Sequence, residues 1–249
     1  MPGVGLNLQD HAELPLARTV SARTLNQELG PLWQAWHGLR WLATGGGPAA
    51  NPGTDAVAFA RTREDLATPD VLVYFGPYIA GLYEMGVKAS SAAGITLDAQ
   101  LCRPRSRGKL TLKSPDPFEA PAIGLRLLDD PEDIATLLRG FRLLERLCAA
   151  EPLAGFITGC FPPGRQPQTD PDVIDYMREA TRPSLHVAGT CRMGEDRLAV
   201  VDPKLRVHGV AGLRVADASV LPQLFGGNLN ATALVIGERA AQLILGDSR

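Results

Sequence analysis

Several common chemistries have nothing to work with in this sequence. Only four cysteines occur in 249 residues, Cys102, Cys148, Cys160 and Cys191. They form no CxxC pair and no regular spacing, which excludes a zinc-ribbon pattern and a disulfide framework and leaves free buried thiols as the expectation. The four histidines, His11, His37, His186 and His208, never occur as HExxH or beside a second ligand at helical spacing, so no metal site is expected. GxSxG and the local cysteine signatures of thiol proteases are missing as well. Charge of one sign is lacking: 25 basic and 27 acidic residues are interspersed, for a net charge of -2. Such a chain has no field to attract nucleic acid. No stretch approaches the roughly 20 uninterrupted apolar residues of a membrane span, and no basic segment followed by an apolar run opens the chain. A cytoplasmic location is therefore expected.

What is present is enough for a packed core, since 45% of residues are hydrophobic. Leu29, Leu32, Trp33, Trp36 and Leu39 recur at helical spacing and predict an amphipathic helix over 26–42, ended by Gly45-Gly46-Gly47-Pro48, with its aromatic stripe expected in the core and a substrate-pocket lining as the alternative. Short β-prone runs follow at Ala56–Ala60, Val71–Phe75, Ile95–Cys102 and Lys109–Leu112, which suggests an antiparallel sheet. The basic cluster Arg103, Arg105, Arg107 and Lys109 is broken by Pro104 and Gly108 and reads as a solvated turn rather than a phosphate site. Asp130-Pro131-Glu132-Asp133 marks a helix start, with Ile134, Leu137, Leu138, Phe141, Leu144, Leu147 and Cys148 on its apolar face and Pro152 beyond its end. Asp170-Pro171-Asp172 repeats that opening for a third helix to about Ala180, after an irregular linker at Pro162-Pro163-Gly164. Leu205–Val207 and Leu213–Val215 read as short strands, and a last helix is expected from about Ala231 to Leu245, closed by Gly246.

Two segments are left over for chemistry. Ser184-Leu185-His186-Val187-Ala188-Gly189-Thr190-Cys191-Arg192-Met193-Gly194 sets a histidine among residues too small for an ordinary helix. Gly226-Gly227-Asn228-Leu229-Asn230-Ala231-Thr232 sets two amide side chains at the mouth of the final helix. A helix N-terminus carries free N–H groups and partial positive charge, so it can hold an anion or a reduced ring; a plain cap by Asn230 is the alternative. The residues alone leave both open, and they leave His186 between a functional role and that of a satisfied core histidine. Gly3-Val4-Gly5 imitates half of a dinucleotide loop, but Leu8 stands where the third glycine belongs and no strand precedes it.

These segments, with others along the whole chain, resemble the glucose–methanol–choline (GMC) oxidoreductases, which include choline dehydrogenase, choline oxidase, glucose oxidase and aryl-alcohol oxidase. Gly3 to His11 is similar to the family's GVGxNLxDH, Arg103 to Gly108 to RPxSRG, and His186 to Gly194 to HPxGTxRMG. Val201 to Val210 resembles VDPxLRVHGV and Leu213 to Pro222 resembles LRVxDASVMP, followed by the family's GNxNAxT and GExAAxLI patterns. The resemblance is to the C-terminal, choline dehydrogenase-like portion of the family. It implies an α+β fold: a substrate domain of mainly antiparallel sheet and helices over 14–180, with 1–13 and 181–249 as the C-terminal remnant of a Rossmann-like FAD-binding domain. It further implies FAD as cofactor, a small-molecule alcohol as substrate and oxygen or a quinone as electron acceptor.

By the same resemblance His186 is the catalytic base that takes the hydroxyl proton while hydride leaves for flavin N5, and Asn228 holds the substrate oxygen. Asn228, Leu229 and Asn230 then stand by the pyrimidine end of the flavin, and Asp217 and Ala218 by its ribityl-pyrophosphate. His11, Arg192 and His208 are read as structural. Val187 departs from the proline usual after the histidine, and Leu185 from the aromatic or polar residue common before it, which bears on the substrate rather than the reaction. The family's GxGxxG loop for the ADP part of FAD is absent. Met1 is accordingly expected to mark an internal start, a gene fragment, or a chain that needs the missing N-terminal half as partner, with little activity for the chain alone. An inactive interaction module and a GMC-fold hydroxynitrile lyase stand as the alternatives.

Overall fold

A computed structural model describes residues 1–51, 53–79, 92–162, 164 and 166–247. It is a mixed α/β chain with antiparallel sheets and, among the described residues, four α-helices, and it divides into two compact units. One comprises Glu13–Leu101 and Ile134–Arg182; the other comprises Met1–Ala12, Cys102–Asp133 and Pro183–Arg249. Strands β1 to β8 span Leu6–Leu8, Ala12–Val20, Ala56–Ala60, Val71–Gly76, Gly94–Leu101, Gly108–Thr111, Ala122–Gly124 and Ile157–Phe161; helices α1 to α4 span Pro31–Thr44, Pro131–Ala149, Asp170–Ala180 and Asn230–Asp247.

The unit of 13–101 and 134–182 is organised by an antiparallel sheet in the order β3-β4-β5-β2-β8. Side chains alternate across a strand and paired residues share a face. The register Leu14↔Ala99, Leu16↔Leu97, Val73↔Ala99 and Val71↔Leu101 therefore gathers one apolar face. Helix α2 lies on it, with Gly140 so close that a Cβ there would meet Ala99 Cβ at 3.2 Å. Leu137, Phe141 and Leu144 of α2 and Val173 and Met177 of α3 are completely buried. At roughly 2 kcal/mol for each fully buried large side chain, this layer is the main source of the unit's stability.

The opposite face of the same strands is polar and buried. Glu13↔Gln100 and Tyr74↔Asp98 pair there, and Tyr74 donates from its hydroxyl to Gln100 Oε1 at 3.4 Å. Arg182 reaches two carboxylates at once, with its guanidinium 2.6 Å from Glu13 Oε1 and 2.9 Å from Asp98 Oδ1. Two acids around one cation leave one negative charge in a desolvated place. Burial first, then the Glu13 charge, pushes the Asp98 carboxyl up to about 8 against the pull of Arg182. Tyr78 is raised too, by burial and then by the Asp98 charge.

The other unit holds a three-stranded antiparallel sheet, β1-β6-β7, and a long irregular segment. Val200, Val201, Leu205, Val207, Val220 and Ala240 form its core, with Cys191, Met193, Val215, Ile236 and Leu243 packed against them. Gly5 takes φ +81, and a Cβ on it would stand 2.1 Å from Leu110 O, so only glycine lets this turn meet β6.

Several expectations need correction. The helix over 26–42 is split into a single 3-10 turn, Leu25–Glu28, and α1, because Pro31 has no N–H to continue a preceding helix and fits only a first turn. Its stripe is not core: α1 buries no residue, and Leu32, Trp36 and Leu39 are exposed at 87%, 57% and 63%. Trp33 alone is engaged, stacked on His37 with the Arg23 guanidinium 4.2 Å from its ring. Asp170 does not cap α3; Thr169 does, its hydroxyl accepting from Asp172 N–H while Asp172 reaches back to Thr169 N–H. Leu205–Val207 and Leu213–Val215 form only isolated bridges, and α4 starts at Asn230 and continues through Gly246. Strands β2 and β8 were not anticipated. The four cysteines are free, Cys102 and Cys148 buried and the other two half-buried. The expected linker at 162–164 includes Pro163, which lies outside the described residues.

The Asp98 charge makes stability pH-dependent. Its folded value is raised above the unfolded 3.8, so between about pH 4 and pH 8 the folded chain keeps a proton that the unfolded chain has lost. Stability conferred by that proton is full at low pH and falls as pH rises through this window, by on the order of 1 kcal/mol per pH unit. Urea unfolding of wild type and Asp98→Asn across that range is expected to show this negative contribution only in wild type; equal slopes refute it.

Candidate functional site

The segment Gly5 to His11 organises the site from below. Gly5 N–H donates to Thr190 O at 2.8 Å, and Gln9 and Ala188 exchange both backbone hydrogen bonds at 3.0 Å. Asn7, in the left-handed region at φ 62, donates from Nδ2 to Gly189 O and Pro222 O and accepts at Oδ1 from Arg107 Nε at 3.0 Å. Gln9 is 1% exposed; its Nε2 donates to Asn7 O and Pro222 O, and its Oε1 accepts from Leu224 N–H at 3.1 Å. Irregular backbone that lacks a sheet ladder must find partners elsewhere, and these amides are the partners.

The RPxSRG turn leaves Arg103, Arg105 and Lys109 exposed, as expected of a solvated turn, while Arg107 turns inward. Arg107 also donates to Pro104 O and Ser106 O, and the Asp133 carboxylate accepts from Arg105 and Ser106 N–H at 2.7 to 3.0 Å. Pro104, Ser106 and Gly108 are buried.

On this platform the His186 segment lies against 217–221. Gly189, Cys191 and Met193 N–H donate to Ala218, Ser219 and Val220 O at 3.4, 2.9 and 2.8 Å. Asp217 is exposed and caps the short 3-10 turn, accepting from Ser219 N–H at 2.7 Å. Ala188, Leu224 and Leu229 form one buried cluster with Ala218 and Leu221 packed on it. The chain two residues beyond His186 and the start of α4 are thus joined by apolar packing. Asn228 and Asn230 flank Leu229 and are exposed, while Leu229 itself is buried. The structure so brings His186, Asp217, Ala218 and Leu229 onto connected backbone, with the two asparagines at the surface beside it.

His186 is half-buried, with its N–H bonded to Asp10 Oδ1 at 2.9 Å. The ring of His11, wholly buried, stands edge-on to its ring at 5.4 Å. Burial raises the Asp10 carboxyl above its ordinary value, against the pull of nearby backbone N–H groups and the His186 charge. Asp10, Gln9 and Asn7 were missed as site-building residues; the signal in the sequence was three polar positions of one motif, 7, 9 and 10. Of the residues read as structural, Arg192 is chelated by Asp196 and His208 Nε2 meets Gly194 O at 3.0 Å. A cavity of about 700 Å³ in the same unit is lined by Asp202 and 206–214 and includes none of the site residues.

Comparison with known proteins places this arrangement in a class. Residues 104–237 match the family model described as GMC oxidoreductase, and the chain belongs to that family. Oxygen-dependent choline dehydrogenase of Rhizobium etli is 37% identical over 249 residues, covering 98% of this chain and 45% of the relative. The same enzyme of Escherichia coli O45:K1 is 36% identical over 250 residues, covering 99% and 44%. Among solved structures, a variant of Aspergillus oryzae formate oxidase described for its FAD modification superposes with a TM-score of 0.89 at 25% identity, over 98% of this chain and 48% of that one. The chain spans about half the length of the relatives it matches. No helix among the described residues is long and apolar enough to cross a membrane.

Two left-handed glycines of this unit differ in what they tolerate. Gly189 has φ +92, and a Cβ on it would stand 2.3 Å from Asn7 O and 2.7 Å from Gln9 Nε2. Gly212 has φ +74 with nothing within 4 Å. Gly212→Ala should therefore cost only the left-handed backbone penalty, about 1 kcal/mol. Gly189→Ala should cost at least about 3 kcal/mol, since it also breaks buried hydrogen bonds. Urea midpoints of the two variants, equal within error, would contradict this account of the site.

Proposed function

We propose that this chain supplies the proton-handling half of an FAD-dependent alcohol oxidoreductase. The observation that carries the reading is the joining of the His186 segment, the Asp217–Ala218 turn and the N-terminus of α4 in one hydrogen-bonded and apolar framework. A half-buried imidazole suits removal of a hydroxyl proton near neutral pH. His186 takes that proton, and Asn228 hydrogen-bonds the substrate oxygen to keep it turned toward the base. Residues 14–180 select the alcohol, and the buried polar face around Glu13, Asp98 and Arg182 is the part of them rich in directional groups.

The residues fit one end of FAD. Free N–H groups at the start of α4, with exposed Asn228 and Asn230 on either side of buried Leu229, suit the flavin ring, and Asp217 and Ala218 suit the ribityl-pyrophosphate. No GxGxxG loop is present in this sequence for the ADP end. When bound, FAD supplies the hydride acceptor, and oxygen or a quinone takes the electrons onward. The R. etli relative's name points to a small alcohol such as choline as the substrate class.

Two measurements test this. Purified with added FAD, the chain alone is expected to retain no stoichiometric flavin, because this sequence holds no GxGxxG loop for the ADP end; a yellow protein bleached by an alcohol would overturn that part. In a chimera carrying the N-terminal portion of the R. etli relative, an alcohol should bleach the flavin, which a lyase would not do. His186→Ala should slow bleaching about 10²–10⁴-fold with the flavin content unchanged, and an unchanged rate removes His186 from the reaction.

A further inference from the structure

A general base works only if its lone pair is on the nitrogen that faces the substrate, so what holds the other nitrogen decides the chemistry. Nδ1 of His186 is buried and has no hydrogen-bond partner among the described residues. The nearest anionic group of the site is Asp10, 2% exposed, whose Oδ1 accepts from the His186 N–H at 2.9 Å. Its Oδ2 is likewise buried and without a hydrogen-bond partner among the described residues. Two unsatisfied groups thus lie on either side of one short backbone link, and with the Asp10 carboxyl ionised they are complementary only if Nδ1 carries the proton. A lone pair on Nδ1 would face the carboxylate's own.

The local backbone reinforces this. Leu185, just before His186, sits at φ 61, where L side chains rarely go. Backbone N–H groups of His186, His11 and Leu185 all act on the Asp10 carboxylate, so one buried side chain holds the bend that presents the ring. His11 closes the other side, its ring edge-on at 5.4 Å.

We propose that Asp10 is the positioning residue of His186: Oδ1 holds its backbone N–H, and Oδ2 takes the Nδ1 proton, directly after a side-chain rotation or through one water, leaving Nε2 as the basic nitrogen. This rests on the reading of His186 as the base. Asp10 touches neither substrate nor cofactor and acts through the imidazole alone. Asn at position 10 can still accept the backbone N–H but sets an NH₂ donor where Oδ2 was, which demands a lone pair on Nδ1 and moves the proton to Nε2.

The test is a long-range ¹H–¹⁵N spectrum of the full chain labelled in its histidine rings, at a pH where the imidazoles are neutral, with His186 assigned by His186→Gln. Wild type is expected to show the Nδ1–H tautomer at His186. Asp10→Asn is expected to convert it to Nε2–H and leave the tautomers of His37 and His208 unchanged. An Nε2–H tautomer in wild type, or an unchanged tautomer in Asp10→Asn, overturns the proposal. If Asp10→Asn does not fold, the wild-type spectrum still decides. The spectrum does not depend on whether His186 is the base: an Nδ1–H tautomer together with unchanged bleaching in the His186→Ala chimera would refute the base and leave the role of Asp10 intact.

Discussion

The unit that carries the candidate site depends on hydrogen bonds made by three polar side chains, Asn7, Gln9 and Asp10. The segments they serve, at 186–190 and 222–224, run without a regular ladder, so each buried N–H and C=O needs an individual partner. Gln9 gives its donor to Pro222 O and its acceptor to Leu224 N–H, Asn7 serves Gly189 and Pro222, and Asp10 takes the His186 N–H. Of these bonds that from Leu224 N–H to Gln9 is buried, and leaving it unmade costs about 1–3 kcal/mol. The same bonds that keep the unit folded therefore set where the imidazole stands. Stability and the placement of His186 are coupled through one short peptide.

The other unit solves a different problem. Its sheet is covered on one face by α2 and α3 with ordinary apolar packing, and on the other it buries charge. Asp98, Glu13 and Arg182 are not the arrangement that maximises stability, since two carboxylates share a single guanidinium and one of them is driven toward its neutral form. A buried polar face of this kind supplies directional groups where an apolar face would supply none. The exposed Leu32, Trp36 and Leu39 of α1 are the reverse case, an amphipathic helix whose apolar side is left open.

Elements with a local cause were legible. Pro131 at the first turn with Asp130 before it starts α2, Gly45 in the left-handed region ends α1, and the runs at Ala56–Ala60 and Val71–Phe75 became strands within a residue of their expected bounds. Strand β2 was not legible, because Pro15 stands inside Ala12–Val20 and argues against a central strand. The Thr169 cap was displaced by one residue from the expected Asp170, since Thr169 and Asp172 satisfy each other's backbone N–H groups and Asp170 has no such reciprocal partner.

The amino-acid sequence by itself determined the family, the order of its motifs, and the identity of the residue types that suit proton removal and flavin contact. It also determined local caps and turns, because those bonds join residues two to four apart. Tertiary structure alone decided which side of α1 is left uncovered, that Arg107 turns inward to Asn7, and that Asp10 rather than a neighbouring side chain holds His186. Periodicity marks a face but not what covers it, and partners 182 or 215 residues apart are chosen by the path of the whole backbone, which no local pattern records.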